Sequence, residues 1–137
     1  MAHFKDMLEV KKFVIDTFPL LGGKLDVIEL TENKCICAIS SDDEIKLSSI
    51  DFISFINHLS VLLIDLGARL LAYNNTGEAT VNTENIVFLN APQDAHIALT
   101  VEKLSSSIAP AVYNYRAIIK DAEGNDIATA NLSQTVE

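Results

Sequence analysis

The amino-acid order predicts an α+β fold in which an antiparallel sheet lies around one long apolar helix. Three observations carry that expectation. The segment 49–73, SIDFISFINHLSVLLIDLGARLLAY, is apolar almost throughout yet places Asp51, Ser54, His58 and Asp65 on roughly one helical face. The chain after it reads as four β-favourable segments separated by turns. An amphipathic segment and two short strand-like segments precede it.

The chain has 137 residues, a length that suits a single domain, 1–137, with one core. Apolar residues make up 49%, which excludes disorder. The net charge of −9 disfavours a nucleic-acid partner, which would call for a basic footprint. The first residues, MAHFKDMLEVKKF, contain no run of signal-peptide type, so a cytoplasmic protein is expected. Segment 49–73 is long enough to span a bilayer. Asp51, Asn57, His58, Asp65 and Arg69 within it make that costly, and a buried helix of a soluble protein, with no membrane partner, is expected instead.

Residues 4–18 keep helical spacing through Phe4, Met7, Leu8, Val14, Ile15 and Phe18, and Pro19 with Gly22-Gly23 ends that helix. Leu25–Leu30 and Cys35–Ile39 read as strands joined by Thr31-Glu32-Asn33-Lys34. Cys35 and Cys37 fall on one face of their strand; two such residues are too few for a zinc site, and reduced, buried thiols are expected. A polar loop, 40–46, holds Asp42, Asp43 and Glu44. Ser48, three residues before Asp51, resembles a capping box and starts the long helix, which ends near Asn74-Asn75-Thr76-Gly77. Gly67 inside that helix costs about 1 kcal/mol against Ala, and a close approach to a neighbouring backbone would account for it. Strands are then expected over 78–89, 96–104, 111–120 and 126–136, with Asp121 to Asn125 as a hairpin loop.

This order, together with the segment TVNTENIVFLNAP (80–92) and the tail RAIIKDAEGNDIATA (116–130), resembles the hotdog fold, and within it the phenylacetate-degradation branch of acyl-CoA thioesterases. The resemblance covers about residues 25–136. It implies a curved antiparallel sheet wrapped around the central helix, an acyl-thioester substrate carried by coenzyme A or a carrier protein, no cofactor and no metal. It also implies assembly into homodimers or tetramers, with the site at a subunit interface. Members of that branch open the central helix with His-Gly-Gly and carry an acid nine residues after the His. Here Ser48, Ser49 and Ile50 stand in place of His-Gly-Gly, and the ninth residue after Ser48 is Asn57. A shift of one residue places His58 there instead.

Thioester hydrolysis needs a nucleophile or a base that activates water, and donors aimed at the developing oxyanion. Backbone N–H groups at the start of the helix, around Ser49 to Asp51, supply such donors whatever the side chains. Asn57 has no useful titration and serves only to hold a carbonyl or a water. His58 is the better base by its ordinary pKa range. Asp51 and Asp65 lie seven residues to either side of it, roughly 10 Å along the axis, so neither forms a dyad with it within the helix. Ser54 lies four residues before His58, within reach of a hydrogen bond. Serines 48, 49, 54 and 60 form no nucleophile elbow. Lys103 in the stretch Lys103-Leu104-Ser105-Ser106-Ser107 is a thin basis for nucleotide phosphates. Three functional classes stay open: a thioesterase using His58 or Asn57 with Ser48, Ser49, Ile50 and Ser54 lining the site, an acyl-thioester-binding module without the acid, and a structural or partner-binding subunit.

Overall fold

The computed structural model describes residues 3–17, 25–39, 49–92, 96–108 and 111–136. Its elements are α1 (Met7–Thr17), β1 (Leu25–Leu30), β2 (Lys34–Ile39), α2 (Ser49–Thr76), β3 (Asn82–Phe88), β4 (Ile97–Ile108), β5 (Ala111–Asp121) and β6 (Asp126–Val136). The six strands form one sheet in the order β1-β2-β4-β5-β6-β3, antiparallel at every junction. This is the α+β arrangement expected from the sequence, a sheet around a long helix. The loop 40–46, Ser48 and the Pro19–Gly23 stop fall outside the described residues.

Several boundaries differ from those expected, each for a local reason. Helix α1 begins at Met7 rather than residue 4, because Asp6 caps it: its Oδ1 accepts the Glu9 N–H at 3.0 Å, and Glu9 Oε2 reaches back to accept the Lys5 N–H at 2.7 Å. Helix α2 runs three residues past Tyr73. Gly77 then takes φ 79°, donating its N–H to the Tyr73 carbonyl at 2.8 Å, a left-handed stop that glycine adopts without penalty. Strand β3 is shorter than 78–89, since the Glu78 carbonyl accepts from Gln134 Nε2 and the Glu78 N–H donates to Thr76 Oγ1. Strand β4 runs on to Ile108, paired with β5 along its whole length.

One face of the sheet is apolar and concave around α2. Its rows cross the strands in register: Cys37, Leu99, Ile119, Ala128 and Phe88 form one, and Cys35, Val101, Ala117, Ala130 and Ile86 the next. Helix α2 presses Ile56, Leu63, Ile64, Leu70 and Leu71 onto these rows, all of them fully buried. Each such side chain contributes roughly 1.5–3 kcal/mol through burial. Helix α2 is long and apolar enough to cross a membrane, and its inner face instead forms this core. Gly67 explains the close seating: a methyl group there would strike the Leu99 side chain and crowd Val101. The neighbour is therefore side chain rather than backbone.

The C-terminal end of α2 is locked in place. Asn74 Nδ2 donates to the Thr31 carbonyl at 3.2 Å and Asn75 Nδ2 to the Glu32 carbonyl at 2.7 Å, tying the helix to the β1–β2 turn. Tyr115 donates its hydroxyl to Gln134 Oε1 at 3.1 Å, and Gln134 Nε2 donates to Thr76 Oγ1 at 3.1 Å and to the Glu78 carbonyl at 2.7 Å. Every member of this buried group is satisfied, so it fixes the helix without a desolvation penalty.

Candidate functional site

The polar stripe of α2 does not face the core. Its residues lie opposite Ile56, Ser60, Leu63 and Gly67 around the helix, and Asp51, Ser54 and His58 are exposed. Asp65 on the same stripe accepts from Arg69 Nε at 3.1 Å through both oxygens, an i,i+4 ion pair. The helix is buried as expected, but its polar stripe is an outer face. No hydrogen bond joins Ser54 to His58. Ser60, buried, donates to the Ile56 carbonyl at 2.8 Å, an ordinary bond back along the helix.

Asn57 stands apart from this stripe. Tyr73 marks the flank of α2 that α1 covers, through ring contacts with Phe4 at 4.8 Å and Phe13 at 5.5 Å. Sixteen residues at about 100° each put Asn57 about 160° around the helix from Tyr73. Helix α1 lies beside β1, where Met7, Lys11, Val14, Leu25 and Val27 line a shared groove. The flank carrying Asn57 thus looks the other way, toward the β6–β3 side of the sheet. Its Oδ1 is buried and has no hydrogen-bond partner among the described residues. A buried acceptor left unpaired is costly, and native structures keep few of them.

Strand β3 is the edge of the sheet on that side. Phe88 pairs with the buried Ala128, which puts its ring on the concave side, yet it is 45% exposed. Ile86 in the next row is half-buried. Between α2 and β3 the floor is built of the small side chains Ala128 and Ala130. Phe88, Ile86, Ala128 and Ala130 thus form an apolar strip along β3 and β6, and Asn57 lies on α2 about 15 Å along the axis before Gly67, which seats on the same rows at Leu99 and Val101. Phe88 and Ile86 were not singled out from the sequence, since the return of β3 to pair with β6 leaves no local signal.

Of the other expected site residues, Ser49 and Ile50 form the first turn of α2 and bring its N-terminal backbone to this end of the molecule; their side chains, like all of Ser48, lie outside the described residues. Cys35 and Cys37 do share a face, with their sulfurs 3.6 Å apart and fully buried. The Cys37 thiol bonded to it and burial both push Cys35 well above the usual thiol range, so Cys35 stays protonated. Lys103 is held by Asn75 Oδ1 at 3.4 Å and Glu32 at 3.7 Å, on the opposite end of α2 from Asn57. No cluster of three metal-ligating side chains occurs among the described residues.

Comparison with solved structures places this architecture. Thioesterase superfamily member 2 from Mus musculus superposes with a TM-score of 0.71 at 15% identity, over 98% of this chain and 100% of that one. The zebrafish thioesterase superfamily member 2 gives 0.72 at 14% identity, over the same shares. A hypothetical thioesterase protein from Streptococcus pneumoniae, solved with coenzyme A, gives 0.68 at 12% identity, over 96% of this chain and 97% of that one. No family model matches the chain, and no curated protein matches its sequence. Likeness across nearly the full length of both chains at such low identity establishes architecture: the chain has the hotdog fold shared by these thioesterase-superfamily structures.

Proposed function

We propose that this protein binds a small acyl thioester, carried by coenzyme A or a carrier protein, in the strip between α2 and β3, with the site completed by a second copy of the chain. The single observation that carries the reading is the buried Oδ1 of Asn57, which has no hydrogen-bond partner among the described residues. An acyl chain removes Phe88 and its neighbours from water, and an N–H or O–H of the ligand, or a held water, satisfies Asn57. The coenzyme A-bound streptococcal structure supports this ligand class. The free edge of β3, with Val87, Phe88 and Leu89 exposed, supports a second copy as the other wall. A cytoplasmic setting fits the two unpaired, buried cysteines.

Binding without turnover fits the residues better than hydrolysis does. Asn57 accepts no proton, so it cannot act as a base. The second reading, hydrolysis with His58 activating water, is favoured by the thioesterase neighbours and by His58 standing one residue further along the helix. On this reading a carboxylate from elsewhere orients His58, and the first turn at Ser49 and Ile50 receives the oxyanion.

The discriminating experiment presents acetyl-, hexanoyl- and decanoyl-coenzyme A to the purified protein. Binding raises the melting temperature of the native state, and free thiol release is followed in parallel. The proposal expects a rise with at least one ligand, its loss in Asn57→Leu, and thiol release at the background rate. Release abolished by His58→Ala would replace binding with hydrolysis. No shift and no release with any of the three would remove both readings.

A further inference from the structure

The strand order leaves β1 with β2 on one side and no described strand on the other. Among the described residues, no backbone hydrogen bond reaches Leu25–Leu30 from that open side. An edge strand turns half of its N–H and C=O groups outward, and β1 offers about 20 Å of such template. A groove of about 450 Å³ runs beside it, between β1 and α1. Register separates the two sides of the strand. Leu25 and Val27 lie opposite the buried Ile39 and Cys37, so their side chains face the groove, as do Met7, Val14 and Ile15 of α1. Asp26 lies opposite Ala38 and Glu29 opposite Ile36, which turns both carboxylates to the outer face of the sheet. Asp26 therefore meets the groove through its main chain.

We propose that β1 takes an extended segment of another protein, alternating basic and apolar residues, as a seventh strand. Charge sets the first half of that pattern. Asp26 and Glu29 are exposed, and neither has an ion-pair partner among the described residues. A strand added beside β1 puts every second side chain next to these carboxylates, and Lys or Arg there makes opposite-charge pairs across the strands. The groove sets the other half. The intervening side chains point between α1 and β1, where Val, Ile or Leu covers Met7 and Ile15, which are 45% and 53% exposed. Lys11 at the groove lays its apolar stem along such a side chain and keeps its ammonium in water. Main-chain hydrogen bonds supply affinity in this mode of recognition, and the alternating side chains supply specificity.

The same charges reject a second copy of the chain at this edge. Two β1 strands paired side by side would bring the Asp26 and Glu29 carboxylates of one beside those of the other, and like charges across strands repel. The bulge at Ile28 adds to that selection, since it twists the edge and shortens the flat run open to an indiscriminate strand. A basic strand meets neither obstacle along Leu25–Val27, the stretch that the groove borders. The edge lies at the opposite end of the strand order from β3, and the proposal does not depend on the acyl-thioester reading.

The test presents the full chain with acetylated, amidated heptapeptides: Lys alternating with Val, Glu alternating with Val, and the Lys–Val peptide with its central Val replaced by Pro. Affinity is read by titration calorimetry, and position by amide hydrogen exchange. The Lys–Val peptide is expected to bind and to slow exchange along Leu25–Leu30. The Pro peptide carries the same charge but breaks the strand, and is expected to bind about tenfold more weakly. The variant Asp26→Lys, Glu29→Lys is expected to lose about tenfold for the Lys–Val peptide and to prefer the Glu–Val peptide. Glu84→Lys, Glu123→Lys makes the same change in net charge at exposed positions elsewhere, and its affinity is expected to stay near that of the wild type. Ile15→Lys, an exposed change on the groove wall, is expected to weaken binding without touching the edge. All variants alter exposed side chains, and circular dichroism confirms their folding. No binding of the Lys–Val peptide, equal binding of the Pro peptide, a folded Asp26→Lys, Glu29→Lys protein of unchanged affinity, or slowed exchange at β3 instead of β1 would each overturn the proposal.

Discussion

Replacing Asn57 by Leu should make the free protein more stable while removing its ligand response. The two side chains are close in size, and helix propensity favours Leu. What changes is Oδ1, a buried acceptor with no partner. Leaving such a group unpaired costs about 1–3 kcal/mol, whereas an apolar group of similar shape carries no such cost. Asn57 as a residue is only half-buried, so part of its amide stays hydrated and the lower part of the range applies, about 1 kcal/mol. For a chain of this size that raises the melting temperature by about 4 °C. Melting is followed by far-ultraviolet circular dichroism at one fixed protein concentration, since self-association makes the midpoint concentration-dependent. A midpoint lowered by several degrees would refute the reasoning, because it would mean that the Asn57 carbonyl has a partner in the free protein. A raised midpoint with an undiminished response to acyl-coenzyme A would keep the stability argument and remove Asn57 from the site.

Gly67→Ala gains about 1 kcal/mol of helix propensity but drives a methyl group into Leu99 and against Val101, an overpacking cost of about 1–3 kcal/mol, so net destabilisation is expected in urea unfolding. Tyr115→Phe leaves Gln134 Oε1 buried without its donor and should cost about 1–2 kcal/mol, read from the same curves. Asp121 is held below the ordinary carboxylate range, first by the Asn125 N–H and then by the Asn125 side chain and the Glu123 and Gly124 N–H groups. Its folded-state pKa is depressed, so its stabilisation is present above the ordinary value of 3.8 and is lost as pH falls through the lower folded value. The stability gap between the wild type and Asp121→Asn should therefore be full at pH 7 and shrink on acidification below the ordinary carboxylate range; a gap independent of pH would contradict this.

Much of the hairpin and helix detail was legible locally. The D-x-x-G loop is one case: Asp121 Oδ1 accepts the N–H groups of Glu123 at 3.0 Å and Asn125 at 2.9 Å, and Gly124 takes φ 86°, all within five consecutive residues. Asp6 and Glu9 capping α1 is another, although the apolar spacing of Phe4 drew the expected start too early. Phe4 packs on Phe13 and Tyr73 without being helical, so apolar period alone could not set that boundary.

What the sequence determined by itself is the set of elements: a long apolar helix, its stop at Gly77, paired cysteines on one strand face, and strands enough to wrap the helix. It also marked Asn57 and His58 as neighbours, 100° apart on one helix, without saying which of them turns inward. That was decided by tertiary structure, for a physical reason. The face a helix buries depends on what packs beside it: α1 takes the Tyr73 flank, the sheet takes Ile56 and Leu63, and the stripe of Asp51, Ser54 and His58 is left to solvent. The return of β3 to the far edge, beside β6, leaves Phe88 exposed there, and on the remaining flank of α2 the buried, unpaired oxygen belongs to Asn57.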